Sequence, residues 1–159
     1  MLDSVTFQTV IESTPLVSID LCVVRDHQIL LGLRNNEPLA GRWFTPGGRL
    51  LKNEPWQQGL ERIAQAELGL SLSATNCRLM GVWDHFYDNS AVSEKISTHY
   101  VNLPHVLYVD DDLDLVADDQ HKVITWFDLA EVSQSEEHHK YMNQYAGWVL
   151  EDLQSKEVD

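Results

Sequence analysis

The segment from Gly48 to Leu70, GRLLKNEPWQQGLERIAQAELGL, constrains the fold more strongly than any other part of the chain. Pro55 suits the first turn of a helix, where its missing N–H group leaves no hydrogen bond unmade. Gly69 suits the left-handed residue that ends a helix. The segment therefore predicts a loop followed by a helix of roughly three to four turns, which begins near Pro55 and ends before Gly69.

One face of this predicted helix combines apolar residues with a carboxylate. Leu60, Ile63 and Glu67 follow Trp56 at offsets of four, seven and eleven residues, so all four share a face. A carboxylate that points inward is costly unless a cation or hydrogen-bond donors meet it. Glu67 is therefore predicted to be a metal ligand rather than a surface charge.

The rest of the chain alternates between strand-like and helix-like segments. Apolar residues recur at helical spacing before Pro15 and over 141–153, which predicts a helix in each place. Residues 34–42 are predicted to form a loop. Apolar and β-branched runs predict strands at 17–24, 29–33, 78–87, 100–109 and 123–127. This alternation predicts an α/β sandwich.

Length and charge limit the class of function. The 159 residues suit one domain, 1–159, with a helical N-terminal segment at 1–14 and a frayed acidic tail at 154–159. The net charge of −14, from 11 basic and 25 acidic residues, opposes a phosphate backbone, so no nucleic-acid partner is expected. An anionic ligand would need a local cluster of arginines and a metal ion.

Cysteine usage and hydropathy favour a cytoplasmic location. Cys22 and Cys77 lack metal-site spacing and suit reduced thiols. The first residues lack a basic region followed by an apolar stretch, and no apolar run is long enough to cross a membrane. We therefore expect a cytoplasmic protein that has no membrane partner.

The Gly48–Leu70 segment resembles the box of the Nudix hydrolases, in which glycine, glutamate and an Arg-Glu-apolar-x-Glu-Glu-x-Gly-apolar run follow at fixed spacing. Ile63 and Ala66 stand where two of the glutamates are expected, and Glu67 remains. This departure resembles one branch of the family, the GDP-mannose mannosyl hydrolases. The positions that match the box are Gly48, Glu54, Arg62, Glu67, Gly69 and Leu70.

Six further blocks carry the resemblance along most of the chain, in the same order and with similar gaps. They are STPLVSID at 13–20, LGLRNN at 31–36, GRWFTPGGR at 41–49, GVWDHFYD at 81–88, STHYV at 97–101 and DDQH at 118–121. The resemblance implies a Nudix-like α/β/α sandwich with a mixed β-sheet.

The resemblance also implies one Mg²⁺ per subunit, with Mn²⁺ as the alternative. Its ligands would be Glu67, the side-chain oxygen of Gln120 and the backbone carbonyl of Gly47. Such a short list is sufficient, because Mg²⁺ takes hard oxygen ligands and completes its shell with water and substrate phosphates.

The catalytic residues implied by the resemblance are His121, Arg34, Arg49 and Arg62. His121 is the predicted general base, because an imidazole near its ordinary pKa can accept a proton from water at neutral pH. The guanidinium groups suit diphosphate oxygens and the charge on a departing nucleoside diphosphate. For Arg62, an ion pair on the helix surface is the alternative.

Substrate contacts are implied for a further set of positions. Asp20 also interrupts an apolar strand, which by itself requires a polar partner. For the two N-terminal members of the set, a core or dimer-interface role is the alternative. The set comprises Leu2, Phe7, Asp20, Arg34, His85 and Tyr100.

The activity implied by the branch is hydrolysis of GDP-mannose, with GDP-glucose as a second candidate, to GDP and free sugar by attack of water at the anomeric carbon with inversion. One alternative is a phosphoanhydride hydrolase that releases a nucleoside monophosphate. Another is a non-catalytic module that binds nucleotide sugars.

The branch also implies a homodimer in which the N-terminal segment packs on its partner. The sequence leaves open the sugar, the selectivity for guanine and the choice between Mg²⁺ and Mn²⁺.

Overall fold

The structure is a computed structural model that describes residues 2–110, 115 and 123–158. Its helices are α1 (Ser4–Ser13), α2 (Trp56–Leu68), α3 (Leu129–Gln134) and α4 (Lys140–Val158), with a 3₁₀ turn at Ala74–Asn76. Its strands are β1 (Leu16–Arg25), β2 (Gln28–Leu33), β3 (Trp43–Phe44), β4 (Gly47–Arg49), β5 (Arg78–Leu79), β6 (Trp83–Tyr87), β7 (Thr98–Asn102), β8 (His105–Tyr108) and β9 (Ile124–Asp128).

Strand β1 is the centre of a mixed sheet. It pairs antiparallel with β2 and β4 and parallel with β7 and β8. Strand β6 pairs antiparallel with β7, and β9 pairs antiparallel with β2. Nearly every residue of β1 is buried, as the continuous apolar run of this segment requires for a strand covered on both faces.

Alternate residues of β1 enter two separate hydrophobic clusters, one on each face of the sheet. Cys22 and Val24 belong to the cluster that contains the buried face of α4. Leu21 and Val23 belong to the cluster that contains the buried face of α2. Helices therefore cover both faces of the sheet, and the predicted α/β/α sandwich with a mixed sheet is confirmed.

The helix predicted between Pro55 and Gly69 is confirmed. It begins at Trp56, and Gly69 ends it with φ of 64°, where its N–H group donates to the carbonyl oxygens of Ala64 and Gln65. The predicted inward position of Trp56 is wrong. Trp56 is the first residue of the helix and is 42% exposed, and its ring stacks on that of His105 with centroids 5.3 Å apart.

Two predicted strands are each divided in the structure. Segment 78–87 breaks between β5 and β6 at Gly81, which has φ of +118°. Segment 100–109 breaks between β7 and β8 before His105, and the carbonyl oxygen of Pro104 there accepts a hydrogen bond from the Met80 N–H group at 2.8 Å. The two breaks therefore lie side by side.

Helix α4 is longer than predicted, because it continues past Leu153 to Val158. Asp152 accepts hydrogen bonds from Arg78 and Tyr108. Lys156 lies one turn further along and places its Nζ atom 3.6 Å from the centroid of the Tyr108 ring. These contacts tie the last turns of the helix to the sheet and correct the predicted end of the helix. Among the described residues, no helix is long and apolar enough to span a membrane.

Candidate active site

The short β3–β4 connection brings the two halves of the site together. The Leu21 N–H group donates to the carbonyl oxygen of Pro46 at 2.7 Å, and Gly47 pairs with Asp20 across β1 and β4. A Cβ atom at Gly47 would collide with the Asp20 carboxylate and would lie 2.7 Å from the Ile19 carbonyl oxygen. Only glycine permits this approach of the two backbones. The Gly47 backbone therefore borders two cavities at once.

The first cavity, cavity 1, has a volume of about 270 Å³ and contains two of the three predicted metal ligands. Glu67 enters it from α2 and Gly47 from β4, so the structure brings these two together. Gln120, the third predicted ligand, lies outside the described residues. Cavity 1 is lined by Gly32, Leu33, Arg34, Asn35, Asn36, Phe44, Thr45, Pro46, Gly47, Glu67 and Ile124.

Helix α2 directs the two substituted box positions away from this cavity. Ile63 is 1% exposed and packs in the core below Gly48, so apolar burial occupies the place of one glutamate. Ala66 is exposed and does not line the cavity. Glu67 is thus the box carboxylate that lines cavity 1. Over the described ranges, no group of three or more His, Cys, Asp or Glu side chains could hold a metal ion.

The donors that are present fit a hard divalent ion better than a soft one. A carboxylate from Glu67 and a carbonyl from Gly47 are both oxygen ligands, which Mg²⁺ prefers. A site with so few protein ligands leaves positions for water and substrate phosphates, which is how Mg²⁺ is commonly bound.

The second cavity, cavity 2, has a volume of about 200 Å³ and adjoins the first. Arg34, Phe44, Thr45 and Gly47 line both. Its other lining residues are Ser18, Asp20, Pro38, Leu39, Gly48, Arg49, His85, Tyr87, Tyr100 and Asn102. Asp20, Arg34, Arg49, His85 and Tyr100, which the sequence predicted as site residues far apart in the chain, therefore meet in one cavity.

Asp20 is the buried acidic group of cavity 2. Its Oδ2 atom accepts two hydrogen bonds, one from the Tyr145 hydroxyl at 2.7 Å and one from the Asn102 amide at 2.6 Å. Burial raises the pKa of the Asp20 carboxyl to about 6, against the opposing effect of these two donors and of the positive charge of Arg34. Asp20 interrupts an apolar strand and was therefore predicted to need a polar partner. Tyr145 of α4 and Asn102 of β7 are its partners.

His85 lies beside this carboxylate and is 1% exposed. Its ring stacks on Tyr141 with centroids 3.8 Å apart and an interplanar angle of 8°. Burial, reinforced by the positive charge of His139, lowers the pKa of His85 to about 4, so the ring is neutral at neutral pH.

The hydrogen bonds of His85 define its tautomer. The Asn102 amide nitrogen lies 3.2 Å from Nδ1, which therefore accepts, and Nε2 carries the proton and faces the Tyr145 oxygen at 3.4 Å. The Tyr145 hydroxyl in turn donates to Asp20. The four side chains thus form one connected polar network, and three of them, Asp20, His85 and Asn102, line the floor of cavity 2.

Two of the three predicted catalytic arginines line the cavities. Arg34 lines both cavities, and its Nε atom donates to the Pro38 carbonyl oxygen at 3.0 Å. Arg49 lines cavity 2, and its guanidinium carbon lies 4.1 Å from the centroid of the Phe7 ring. Phe7 is therefore connected to the site through Arg49, whereas Leu2 is 53% exposed and lines neither cavity.

The third arginine, Arg62, lines neither of these cavities. Its guanidinium donates to both carboxylate oxygens of Glu54, at 2.6 and 3.0 Å, and to the Arg49 carbonyl oxygen at 2.9 Å. Glu54 also accepts from the Leu51 N–H group at 2.9 Å. Arg62 thus holds the loop before α2 and the end of β4, in an ion pair whose partner, Glu54, precedes the helix instead of lying on its surface.

Tyr87 and Tyr100 provide hydroxyl groups on the wall of cavity 2. Burial raises the pKa of both phenols, so both remain protonated at neutral pH and can donate hydrogen bonds. The predicted base His121 and its neighbours Asp118 and Asp119 lie outside the described residues.

The site contains polar residues that sequence reasoning missed: Thr45, Asn102 and the hydroxyl of Tyr145. Asn102 falls within an apolar strand-like segment, as Asp20 does, and that interruption was the available signal. Tyr145 lies on the apolar stripe of α4, and nothing in its spacing distinguishes it from a core residue.

Comparison with known proteins identifies the class of this site. Residues 14–149 match the family model for the NUDIX domain. The chain belongs to the Nudix family, and Nudix hydrolase chemistry follows from that membership; hydrolases of this family generally use divalent metal ions such as Mg²⁺ or Mn²⁺.

Particular relatives agree with this assignment. The chain is 38% identical over 122 residues to the low-salt glycan biosynthesis protein Agl8 of Haloferax volcanii, covering 77% of this chain and 76% of that protein. The fold is similar to that of a MutT NUDIX hydrolase from Burkholderia pseudomallei, with a TM-score of 0.69 and 24% identity over 86% of this chain and 99% of that one. It is also similar to the NUDIX domain of Shewanella oneidensis NrtR, which was solved with ADP ribose, with a TM-score of 0.66 and 17% identity over 89% and 90% of the two chains.

Proposed function

We propose that this Nudix hydrolase cleaves GDP-mannose, with GDP-glucose as a second substrate, to GDP and free sugar by attack of water at the anomeric carbon. One observation carries the proposal: α2 presents a single box carboxylate, Glu67, to cavity 1, while the adjoining cavity 2 has a buried polar floor. In the Nudix family, attack of water at phosphorus usually depends on the box glutamates. Two of these glutamates are replaced here by Ile63 and Ala66, which argues against attack at phosphorus.

The polar floor suits a sugar. A hexose presents several hydroxyl groups, each of which both donates and accepts hydrogen bonds. Cavity 2 offers the carboxylate of Asp20, the neutral ring of His85 and the hydroxyls of Tyr87 and Tyr100. The relative from Haloferax volcanii is named a glycan biosynthesis protein, and this supports a substrate that contains a sugar.

The diphosphate is assigned to the junction of the two cavities. Arg34 lines both cavities and Arg49 lines cavity 2, so two arginines are available to the region between the sugar and Glu67. Guanidinium groups pair with phosphate oxygens in a bidentate manner. This local positive charge offsets the net charge of −14 on the chain as a whole.

One divalent ion per subunit, Mg²⁺ or Mn²⁺, would be held by Glu67, by the carbonyl of Gly47 and by Gln120. When bound, it would stabilise negative charge on the diphosphate oxygens as a Lewis acid. Arg34 and Arg49 orient the diphosphate and stabilise the charge that develops on it as it leaves.

The reaction breaks one bond and forms one. A water oxygen bonds to the anomeric carbon, the bond from that carbon to the β-phosphate oxygen breaks, and GDP departs with the electron pair. His121 takes the proton of the attacking water, which approaches from the face opposite the leaving group. The configuration of the sugar is therefore inverted, as in single-displacement glycoside hydrolysis.

Oxygen-18 water tests this proposal directly. Purified protein is incubated with GDP-mannose and Mg²⁺, and the products are identified by mass spectrometry and phosphorus NMR. Label on free mannose beside unlabelled GDP is the expected result. Label on phosphate, with GMP and mannose 1-phosphate released, would establish a phosphoanhydride hydrolase instead. Absence of turnover with tight binding would favour a non-catalytic module.

Substitution of His121 by Gln tests the predicted base. A general base contributes roughly a hundred- to ten-thousand-fold to the rate, so His121→Gln is expected to lower kcat by at least about a hundred-fold. The KM for GDP-mannose is expected to change little. A variant whose kcat stays near that of the wild type would remove His121 from the mechanism.

The proposal also covers the domain organisation, the cellular location and the oligomeric state of the protein. We propose one domain over 1–159 that acts in the cytoplasm, without a nucleic-acid partner, as a homodimer in which α1 packs on the second copy. Val5 in α1 is 74% exposed and Leu2, just before the helix, is 53% exposed, as an interface would require. Analytical ultracentrifugation of the wild type and of Val5→Glu tests the dimer: the wild type should sediment as a dimer and the variant should dissociate.

A further inference from the structure

Asn102 contains a buried acceptor that has no donor. The side chain is 2% exposed and lines cavity 2. Its amide nitrogen is shared between the carboxylate of Asp20 and Nδ1 of His85. Its Oδ1 atom receives no hydrogen bond from residues 2–110, 115 or 123–158. An unpaired buried acceptor destabilises the folded protein, so its retention requires an explanation.

The orientation of the Asn102 amide follows from its neighbours. A carboxylate only accepts hydrogen bonds, so the amide group that lies 2.6 Å from Asp20 Oδ2 must be the NH₂ group. Rotation of the amide by 180° would place Oδ1 against the carboxylate oxygen and break the contact with His85 as well. The unpaired oxygen therefore cannot be satisfied by exchange of the two amide atoms.

Thr45 repeats this situation on the facing side of cavity 2. The side chain is 4% exposed and lines both cavities. Its hydroxyl lies close enough to the Asp20 carboxylate to help hold down the pKa of that carboxyl, yet Oγ1 makes no hydrogen bond of good geometry within the described part of the chain. Two polar side chains of cavity 2 thus each have an oxygen atom without a hydrogen bond of good geometry from the described residues.

We propose that Asn102 and Thr45 are specificity-determining residues, which recognise a hydroxyl group of the sugar through the unpaired Oδ1 and Oγ1 atoms. This inference rests on the proposed function, because it assigns the sugar of a nucleoside diphosphate hexose to cavity 2. Asn102 Oδ1 can only accept, so the matching group on the ligand is a hydroxyl that donates. Tyr145 is a positioning residue: it holds Asp20, which in turn holds the Asn102 amide.

The prediction that separates this role from simple packing concerns deoxy sugars. Turnover and binding are measured with GDP-mannose and with its 2-, 3-, 4- and 6-deoxy analogues. The wild type is expected to discriminate against at least one analogue, because a site built to pair a hydroxyl rejects a ligand that lacks it. In Asn102→Val, GDP-mannose and that deoxy analogue are expected to be turned over with nearly the same kcat/KM. The kcat/KM values for the remaining deoxy analogues are expected to change by the same factor as that for GDP-mannose.

Two variants serve as matched controls. Tyr145→Phe removes the other hydrogen bond to Asp20 Oδ2 and leaves Asn102 Oδ1 in place, so it should lower kcat/KM for every analogue by a similar factor. Thr45→Val removes only the hydroxyl and preserves the shape of the side chain. It should raise KM for GDP-mannose by roughly two- to twelve-fold, the value of one neutral hydrogen bond, without lowering Tm.

The outcomes are distinct. Loss of discrimination in Asn102→Val, with uniform loss in Tyr145→Phe, supports the inference. Uniform loss in both variants, or a lowered Tm with unchanged KM in Thr45→Val, would overturn it and leave the proposed function intact. If the wild type turns over no GDP-mannose, the proposed function fails. Calorimetric binding of GDP-mannose against its deoxy analogues then still decides whether Asn102 and Thr45 recognise a hydroxyl.

Discussion

Cavities 1 and 2 adjoin each other but are built in different ways. Cavity 1 takes its acidic group, Glu67, from the loop and helix that immediately follow Gly47, about twenty residues away along the chain. Cavity 2 takes the polar side chains of its floor from β1, β6 and β7, and the hydrogen bond that Asp20 accepts from Tyr145 of α4 joins residues 125 positions apart. The acidic group of cavity 1 thus comes from a local motif, whereas the polar network of cavity 2 forms only when distant strands and α4 have come together.

The difference indicates where each cavity is vulnerable. A local motif keeps its shape through caps and short contacts, such as the left-handed Gly69 and the pair between Arg62 and Glu54. The floor of cavity 2 depends instead on a buried carboxylate whose partners must all be present. Changes to cavity 1 should therefore affect chemistry more than folding, and changes where the two cavities meet should affect both.

The largest effect is expected from Glu67→Gln. This change keeps the shape of the side chain and removes the charge that cavity 1 offers to a divalent ion. Because loss of even an outer partner of a metal ligand costs about 10–100-fold, we expect kcat to fall by at least about a hundred-fold. Unfolding by urea should be nearly unchanged. Steady-state kinetics over a Mg²⁺ titration measure the effect.

Gln65→Ala is the matched control for that variant, because Gln65 lies on the same helix, is exposed and lines neither cavity. It should retain the activity and the Mg²⁺ dependence of the wild type. If Glu67→Gln also retained the wild-type activity and Mg²⁺ dependence, the proposed metal site in cavity 1 would be wrong. The contrast drawn between the two cavities would then fail.

Gly47→Ala should affect both cavities through folding. The added methyl group would collide with Asp20 and with the Ile19 carbonyl oxygen, and overpacking of this kind costs typically about 1–3 kcal/mol. We expect the free energy of unfolding in urea to fall by that amount and the activity to fall with it.

Gly147→Ala provides the opposite case for Gly47→Ala. A Cβ atom at Gly147 meets nothing within 4 Å, and the residue lies inside α4. Replacement of glycine by alanine in a helix should raise the free energy of unfolding by about 0.4–1 kcal/mol. Equal stability of the two alanine variants would show that the close approach at Gly47 is not required.

The role of Arg62 can be decided by a double-mutant cycle with Glu54. If Arg62 acts only by holding the loop before α2, then Arg62→Ala, Glu54→Ala and the double variant should lose similar activity and stability. The expected coupling is roughly 0.5–3 kcal/mol in the free energy of unfolding, the range for residues in direct contact. A large drop in kcat for Arg62→Ala alone would return Arg62 to the catalytic residues.

The smallest effect is expected at the far end of α4, which is remote from both cavities. Hydrogen bonding to Arg78 lowers the pKa of Asp152 below 3.8, its ordinary value. Because the folded-state pKa is depressed, the stabilisation is present above pH 3.8 and is lost as the pH falls through the folded-state value. Arg78 is largely exposed, so Asp152→Asn should cost only about 0.5–1 kcal/mol at neutral pH.

Urea unfolding of the wild type and of Asp152→Asn from neutral pH downward measures this contribution. The difference in the free energy of unfolding should shrink at the acidic end, and kcat at neutral pH should stay unchanged. A difference that grows as the pH falls would contradict the assigned sign. A loss of kcat would mean that the anchoring of α4 also controls cavity 2.

The two cavities also differ in how far the sequence predicts them. The helix between Pro55 and Gly69 follows from local spacing and capping, and the structure bears out this helix; Glu67, predicted as an inward metal ligand, lines cavity 1. Strand positions were predicted less well where a turn is very short, as at Gly81 and Pro104. Local periodicity does not detect such breaks, because only two to three residues separate the flanking strands.

The floor of cavity 2 was predicted only in part. Asp20 and Asn102 both interrupt apolar segments, but nothing local shows that they pair with each other or with Tyr145. For Arg62 a different kind of inference failed. Arg62 occupies the arginine position of the box, but its partner Glu54 lies eight residues earlier in the sequence. Pairs on a helix surface are expected only three or four residues apart, so helical spacing does not predict this pair.

Helix α4 has a consequence for how this protein can be divided. It contributes Tyr141, which stacks on His85, and Tyr145, which binds Asp20, so the last helix forms a wall behind two residues that line cavity 2. A fragment that ends before Lys140 would carry every box residue and still lack that wall. Supplied as a separate peptide, residues 140–158 would have to dock before activity returned, which makes this helix the natural dividing point for a split reporter built on this Nudix hydrolase.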